Sequence, residues 1–217
     1  LKKDYYHIVG IIDRSGSMLS IRDEVIGGFN NFIRDQKKVE GKATMTLVQF
    51  DDEYLVNYEF IDIQNVADLN NETYVPRGMT AMYDAIGKTI VNTGIALSNM
   101  DENNRPEKVI VIIQTDGYEN ASQEYTSEVI KKMIKEQEEK YNWTFTFLGA
   151  NINAKETANN IGINRKMSMT FAANSVGTSS AYNSVSENLT DVRCGTKLNM
   201  SYEDKDYSAQ ENAGVSQ

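Results

Sequence analysis

Two uninterrupted apolar runs constrain this chain more than any other feature. Ile8–Ile12 and Val109–Ile113 carry no polar residue to mark a wet face, and an aspartate follows each within three residues, Asp13 and Asp116. A strand without a polar face is covered on both sides, which is the mark of a parallel sheet with helices above and below it. The rest of the chain alternates in the same way. Tyr5–Ile12, Thr44–Phe50, Lys108–Thr115, Trp143–Leu148 and Met167–Phe171 read as strands. Ser20–Lys37 reads as a helix because Val25, Ile26, Phe29, Phe32 and Ile33 recur at three- and four-residue spacing. Ala81–Leu97, Ser127–Tyr141 and Lys155–Ile161 follow as helices, and Ser179–Val192 as a more polar last one. Gly27 and Gly28 weaken the first helix and are expected to let it sit close to the sheet. Tyr54–Ile61, after the polar turn Asp51-Asp52-Glu53, reads as an antiparallel edge strand. Residues 62–79 read as a loop with a short helical piece at Val66–Asn70. From Arg193 the periodicity is lost, which predicts a mobile tail over 193–217. Helices between successive strands imply right-handed crossovers. The expected fold class is α/β: a doubly wound, mostly parallel sheet with one antiparallel edge strand and helices on both faces.

Composition narrows the functions open to such a fold. A chain of 217 residues buries about 70% of its unfolded surface, enough for a core without disulfides or a structural metal. With 22 basic and 31 acidic side chains the net charge is −9, which argues against a nucleic-acid partner, since phosphate grooves need clustered Lys and Arg. Cys194 is the single cysteine, so neither an internal disulfide nor a multi-thiolate zinc site is possible. The apolar runs are far shorter than the roughly 20 residues of a membrane span. No signal peptide is visible, and the expected location is cytoplasmic, with a removed leader left open by a sequence that begins at Leu1.

In a doubly wound sheet, ligands sit beyond the carboxyl ends of the strands, where the winding reverses. Asp13 and Asp116 mark those ends for the two most buried strands. Asp13-Arg14-Ser15-Gly16-Ser17 sharpens the point, because residues two apart in an extended loop share a side. Asp13, Ser15 and Ser17 can therefore converge one carboxylate and two hydroxyls, a hard oxygen set suited to Mg²⁺. The competing reading is that Ser17 or Ser20 simply opens the following helix. His7, the single histidine, lies six residues before Asp13, about 20 Å along a strand, so a Ser-His-Asp triad is implausible. No phosphate-cradling G-x-x-x-x-G-K-[ST] loop and no strand-linked G-x-G-x-x-G is present. Asp51, Asp52 and Glu53 read as turn residues at the same end of the sheet, and Glu136–Lys140 as a solvated helix face.

Asp13-x-Ser15-x-Ser17, Gly78-Met79-Thr80 before a helix, and Thr115-Asp116-Gly117 after a central strand stand in this order on these elements. Together they resemble the von Willebrand factor type A domain with its metal-ion-dependent adhesion site, over roughly residues 4–192. Ile26-Gly27-Gly28-Phe29-Asn30, Tyr83-Asp84-Ala85-Ile86 and Phe147-Leu148-Gly149-Ala150-Asn151 are similar to a bacterial and phage-type subgroup. With the tail read over 193–217 from its lost periodicity, the resemblance gives a domain over 1–192. It implies metal ligation by Asp13, Ser15, Ser17, Thr80 and Asp116, with Mg²⁺ as the ion and Mn²⁺ or Ca²⁺ as alternatives. Thr80 also stands where a helix N-cap would.

The implied function is that of a non-catalytic protein-binding module, in which the ion captures an exposed Glu or Asp of a partner protein. Arg14 and Arg77 are expected in the rim loops as sources of positive potential or as solvated loop residues. Glu203, Asp204, Asp206 and Glu211 in the tail are carboxylates able to compete for the open position. The rival reading is a Mg²⁺-dependent phosphohydrolase or phosphotransferase with Asp13 as nucleophile. The ordinary lysine or second acid of such a site is missing where Ser15 and Ser17 stand.

Overall fold

The structure, a computed structural model, describes residues 1–215. Among them six strands form one sheet: β1 (Lys2–Asp13), β2 (Lys42–Phe50), β3 (Tyr54–Asp62), β4 (Pro106–Thr115), β5 (Trp143–Ala150) and β6 (Ser168–Phe171). Their spatial order is β3-β2-β1-β4-β5-β6. All neighbours are parallel except β2 and β3, whose antiparallel pairing makes β3 the expected edge strand. The chain winds outward from β1 to β2 and β3, then restarts on the other side of β1 with β4. The switch point therefore lies between β1 and β4, the two strands without a polar face. Their register sets Ile12 opposite Gln114, which brings the carboxyl ends of the two strands level.

Alternation within those strands feeds two cores, as a doubly covered sheet requires. Ile8, Ile12, Ile110 and Ile112 face α1 (Arg22–Lys38) and α5 (Ser175–Arg193). Val9, Ile11, Val109, Val111 and Ile113 face α2 (Met82–Ser98), α3 (Ser127–Tyr141) and α4 (Ala154–Asn160). A 3-10 segment, Gly16–Ile21, joins β1 to α1 and buries Met18 and Ile21. The short helical piece expected at Val66–Asn70 is instead a 3-10 turn at Ile63–Asn65, because Asp62 accepts the Gln64 N–H and starts the turn earlier.

Three expectations are corrected. Gly28 closes the distance between two helices and not to the sheet: a Cβ there would stand 2.2 Å from the Tyr182 ring of α5, while Gly27 has open space around it. The last helix begins at Ser175, capped by the Asn174 side chain, and is deeply buried through small polar residues such as Thr178, Ser184, Ser186 and Asn188. The segment from Arg193, expected to be mobile, is folded through residue 215. Arg193 is itself buried and donates to the Gln36 and Val39 carbonyls at the end of α1. Met200 and Tyr202 enter the core, and α6 (Asp204–Asn212) begins with a capping box between Glu203 and Asp206. Gln210 of α6 accepts the Ala172 N–H just beyond β6, and Tyr207 donates to the Ser168 carbonyl. Residues 216 and 217 of the expected tail lie outside the described residues.

Candidate functional site

Asp13 ends β1 fully buried, and every oxygen around its carboxyl end is engaged. Its Oδ1 accepts the Ser15 N–H at 2.6 Å, and its Oδ2 accepts the Thr115 hydroxyl from the end of β4 at 2.5 Å. Its carbonyl accepts the buried Tyr74 hydroxyl at 2.7 Å. The loop that follows does what its spacing predicts. Ser15 Oγ lies 3.2 Å from Ser17 Oγ, and Ser17 donates to Asp116 Oδ1 at 2.6 Å. Two carboxylates on adjacent strand ends are thus joined through a line of hydroxyls.

With the loop after β4 as the third, Thr80 completes the cluster from the second loop, the one that leads into α2. It is not a helix cap: α2 is preceded by Ala81, without a side-chain cap. The N–H groups at this end of α2 are taken by the loop after β4. Asn120 accepts from Thr80, Glu119 from Tyr83, and Ser122 Oγ from Asp84. The Thr80 hydroxyl is therefore not spent on capping and turns to the strand ends. Thr80 Oγ1 lies 3.3 Å, and Ser17 Oγ 4.0 Å, from the point where a Cβ on Gly117 would stand. A side chain at Gly117 would crowd this opening. The five residues singled out in the sequence, Asp13, Ser15, Ser17, Thr80 and Asp116, share one end of the sheet.

Other residues hold the three loops in place, a role that the sequence reading of Asp51, Asp52 and Glu53 as turn residues and of Arg14 and Arg77 as rim residues did not give them. Asp51 at the end of β2 is fully buried, with its Oδ2 3.0 Å from both Arg14 Nε and Arg77 Nε. Glu53 pairs with Arg77 as well. The two rim arginines are therefore neutralised and tie the first loop to the second, supplying no free positive potential. Asp52 accepts the Met79 N–H at 3.1 Å, which holds its carboxyl below the usual range. Backbone bonds add Gly16 N–H to the Gly78 carbonyl and Arg77 N–H to the Arg14 carbonyl. Asp84 pins the third loop: its carboxylate accepts the N–H groups of Gln123, Glu124 and Tyr125. Burial alone pushes Asp84 up, but those three donors outweigh it and its carboxyl sits below the usual range. A readable signal existed for Asp51, since an acid at the carboxyl end of β2 follows the pattern that marks Asp13.

The electrostatics of the cluster are those of carboxylates lacking a counter-charge. Burial pushes Asp13 up to about 6 against the hydrogen bonds of Thr115 and Ser15, and Asp116 adds to the rise. Burial also raises Asp116, opposed by the Ser17 hydroxyl. Two acids and three hydroxyls form a hard oxygen donor set that a divalent cation fits, with few protein charges to satisfy and room for water or an external oxygen. Among the described residues, no group of three or more His, Cys, Asp and Glu side chains is placed to hold a metal ion. A cation here would depend on the hydroxyls. His7 is remote from this end. Its ring stacks on Phe60 at 3.7 Å and its two nitrogens meet the Thr44 and Thr46 hydroxyls. Burial lowers it to about 3, so it is a neutral structural residue. Cys194 is free and exposed. The tail acids are held by α6: Glu203 and Asp206 form its cap, and Glu203 pairs with Lys197 at 2.7 Å. That helix lies against β6 and α5, two strands from β4, which corrects the expectation of a tail carboxylate reaching the site. No helix among the described residues is long and apolar enough to cross a membrane.

No family model and no curated protein matches the sequence. Solved structures do match the fold. Proximal thread matrix protein 1 from the mussel byssus is 15% identical with a TM-score of 0.59, covering 88% of this chain and 46% of its own. The pilus adhesin SpaC from Lactobacillus rhamnosus GG, in an open conformation, is 14% identical with a TM-score of 0.65, covering 88% of this chain and 30% of its own. The vWF domain of the type V pili tip protein Mfa5 from Porphyromonas gingivalis is 12% identical with a TM-score of 0.59, covering 85% and 94%. The chain spans less than half the length of the first two proteins. The chain has the fold of a von Willebrand factor type A domain.

Proposed function

We propose that this chain is a non-catalytic binding module that holds a divalent cation and captures a carboxylate of a partner protein. The observation that carries this reading is the Ser17–Asp116 hydrogen bond of 2.6 Å. It joins the first and third loops across β1 and β4, with the uncommitted Thr80 hydroxyl beside it. Asp13, Ser15, Ser17, Thr80 and Asp116 would hold the ion, and Mg²⁺ suits their hard oxygens, with Mn²⁺ or Ca²⁺ as alternatives. A bound dication supplies an electrophile that attracts an acidic oxygen from outside. The mussel byssus protein has been solved with its metal-ion-dependent adhesion motif occupied by zinc, which supports divalent-ion binding on this fold. The adhesin and pilus-tip relatives in fold support a role in protein contact.

The use of Asp13 as a phosphoryl nucleophile fits the geometry poorly. Both its carboxylate oxygens already accept hydrogen bonds, and the side chain is fully buried. Isothermal titration with Mg²⁺ and Mn²⁺ tests the proposal directly. Saturable binding to the native chain that disappears in Asp13→Asn is expected, and equal affinity in the two proteins would sink it.

A further inference from the structure

An open groove of about 1130 Å³ runs between α4 and α6 over the outer strand β6. That exceeds the roughly 300–1,000 Å³ of pockets that enclose small molecules. The backbone of β6 shows which of its groups reach the groove. The Phe171 carbonyl accepts the Asn151 N–H from the β5 side, so the residues alternating with Phe171 turn their backbone groups outward. Two of these are met by α6: Tyr207 donates to the Ser168 carbonyl, and Gln210 accepts the Ala172 N–H. Thr170 stands between them and lines the groove. Its N–H and C=O leave a gap between two points where α6 closes the edge. An open strand edge is a template for another strand.

The walls supply what an extended main chain binds. Asn151, at a φ of +53°, spends its Oδ1 on the Ala173 N–H. Its Nδ2 donor is left unspent on a residue that lines the groove. Ser208 of α6 adds an exposed hydroxyl to the same lining. These neutral donors and acceptors match peptide amides. Charge then selects among side chains. Lys155 of α4 is drawn onto the Tyr207 ring, its ammonium 4.2 Å from the ring centre. The opposite wall, α6 with its cap residue, carries Glu203, Asp204, Asp206 and Glu211 against Lys205 alone, on a chain of net charge −9. The potential over this wall is negative and favours a cationic occupant. We infer that the groove docks an extended, Lys- or Arg-bearing segment of a partner protein, which adds to the β6 edge at Thr170 and lays its basic side chains beside Asp204. This surface lies two strands from β4, so it works independently of the candidate cation site.

The test uses the full chain, ¹⁵N-labelled, titrated with an end-capped nonapeptide that alternates Lys with Thr and Val. A second peptide carries Glu in place of each Lys, and a third is N-methylated at its three central residues. Shifts are expected at residues 151–155, 168–172 and 204–211, unchanged by EDTA. The Glu peptide and the N-methylated peptide are each expected to bind at least about tenfold more weakly. The Lys peptide should weaken as much on the variant Asp204→Lys/Ser208→Arg, whose two positions are exposed and whose melting temperature should stay in place. Equal affinity for the Lys and Glu peptides overturns the selection by charge. An N-methylated peptide that binds as tightly as its parent overturns pairing with the β6 edge. Absence of binding, shifts that vanish with EDTA, or shifts centred on Ser17 and Asp116 overturn the groove as the docking surface. Saturable groove shifts with maltohexaose, and none with the Lys peptide, would assign the groove to a saccharide and overturn the proposal as well.

Discussion

Asp52 and Gly78 are in such close contact that only glycine fits: a Cβ on Gly78 would lie 1.9 Å from Asp52 Oδ1. The same carboxylate oxygen accepts the N–H of Met79, and Gly78 has φ of +67°. The acidic turn after β2 therefore shapes the loop that delivers Thr80. Gly78→Ala is expected to lose about 1–2 kcal/mol from the left-handed backbone alone, plus the clash. Urea melts of Gly78→Ala, Asp52→Ala and the double variant check this. Removing Asp52 should restore part of the loss, so strictly additive effects would show that the two residues do not meet.

Asp13→Asn should separate binding from folding. The amide keeps the shape of the side chain, can still accept from Ser15 N–H, and leaves the Thr115 hydroxyl its contact with the Gly117 carbonyl. The variant is expected to melt cooperatively and to lose at least about tenfold in divalent-cation affinity. A ligand that binds only the native state raises its melting temperature by mass action. Mg²⁺ should therefore raise the melting temperature of the native chain and leave that of Asp13→Asn where it was.

His7 sets an acid limit on stability far from the site. Its folded value of about 3 lies below the ordinary 6.5, with burial the cause. Above pH 6.5 the imidazole is neutral in both states and contributes nothing to the pH dependence. As pH falls below 6.5, the unfolded chain takes up a proton that the folded chain refuses until about pH 3. Stability is lost across that window, on the order of 5 kcal/mol in total. Asp13, raised to about 6, works in the opposite sense, so a single melt does not isolate His7. The difference between native and His7→Gln stability curves does, and it should narrow steadily from pH 7 to pH 4. A constant difference rules the assignment out.

Gly27 and Gly28 look interchangeable in the sequence and are expected to respond oppositely to alanine. Gly27 faces open space within α1, so Gly27→Ala should gain about 0.5–1 kcal/mol of helix propensity. Gly28 lies under the Tyr182 ring, whose hydroxyl is anchored on Gln114. Gly28→Ala must push α1 and α5 apart, at a cost of about 1–3 kcal/mol. Thermal melts of the two variants give the signs directly.

The parts of this molecule that hydropathy can reveal were readable from its residues. Ile8–Ile12 and Val109–Ile113 announced the paired central strands, and Asp13 and Asp116 announced the end where the site sits. The misreadings share a physical cause. Helix α5 shows its apolar stripe only from Ala181 onward, through Val185, Leu189 and Val192. Its first turn, Ser175–Thr178, is set by the Asn174 cap and buries Gly177 and Thr178, which leave no apolar signal to detect. Helix α6 is set by a side-chain cap between Glu203 and Asp206 and by single anchors such as Met200 and Tyr202, none of which is periodic. The ties of Asp51 to Arg14 and Arg77 join residues distant in sequence, so spacing carries no trace of them.

Residues 195–215 act as a structural closure of the domain, and removing them is expected to unfold part of it. A chain ending at Cys194 strips Met200 and Tyr202, both buried, from the core shared by α1 and α5. It also removes Gln210, which accepts the Ala172 N–H and donates to the Gly177 carbonyl, and it uncovers the edge strand β6. Two lost apolar anchors at about 1.5–3 kcal/mol each, together with uncovered backbone groups, approach the whole stability of a small domain, about 5–15 kcal/mol. The truncated chain should therefore show a lower urea midpoint, a smaller unfolding cooperativity and a tendency to self-associate through β6. Because α6 stands two strands away from β4, its removal should not raise Mg²⁺ affinity in whatever fraction stays folded. A truncated chain as stable as the full one, or one that binds Mg²⁺ more tightly, would return this segment to the status of a tail.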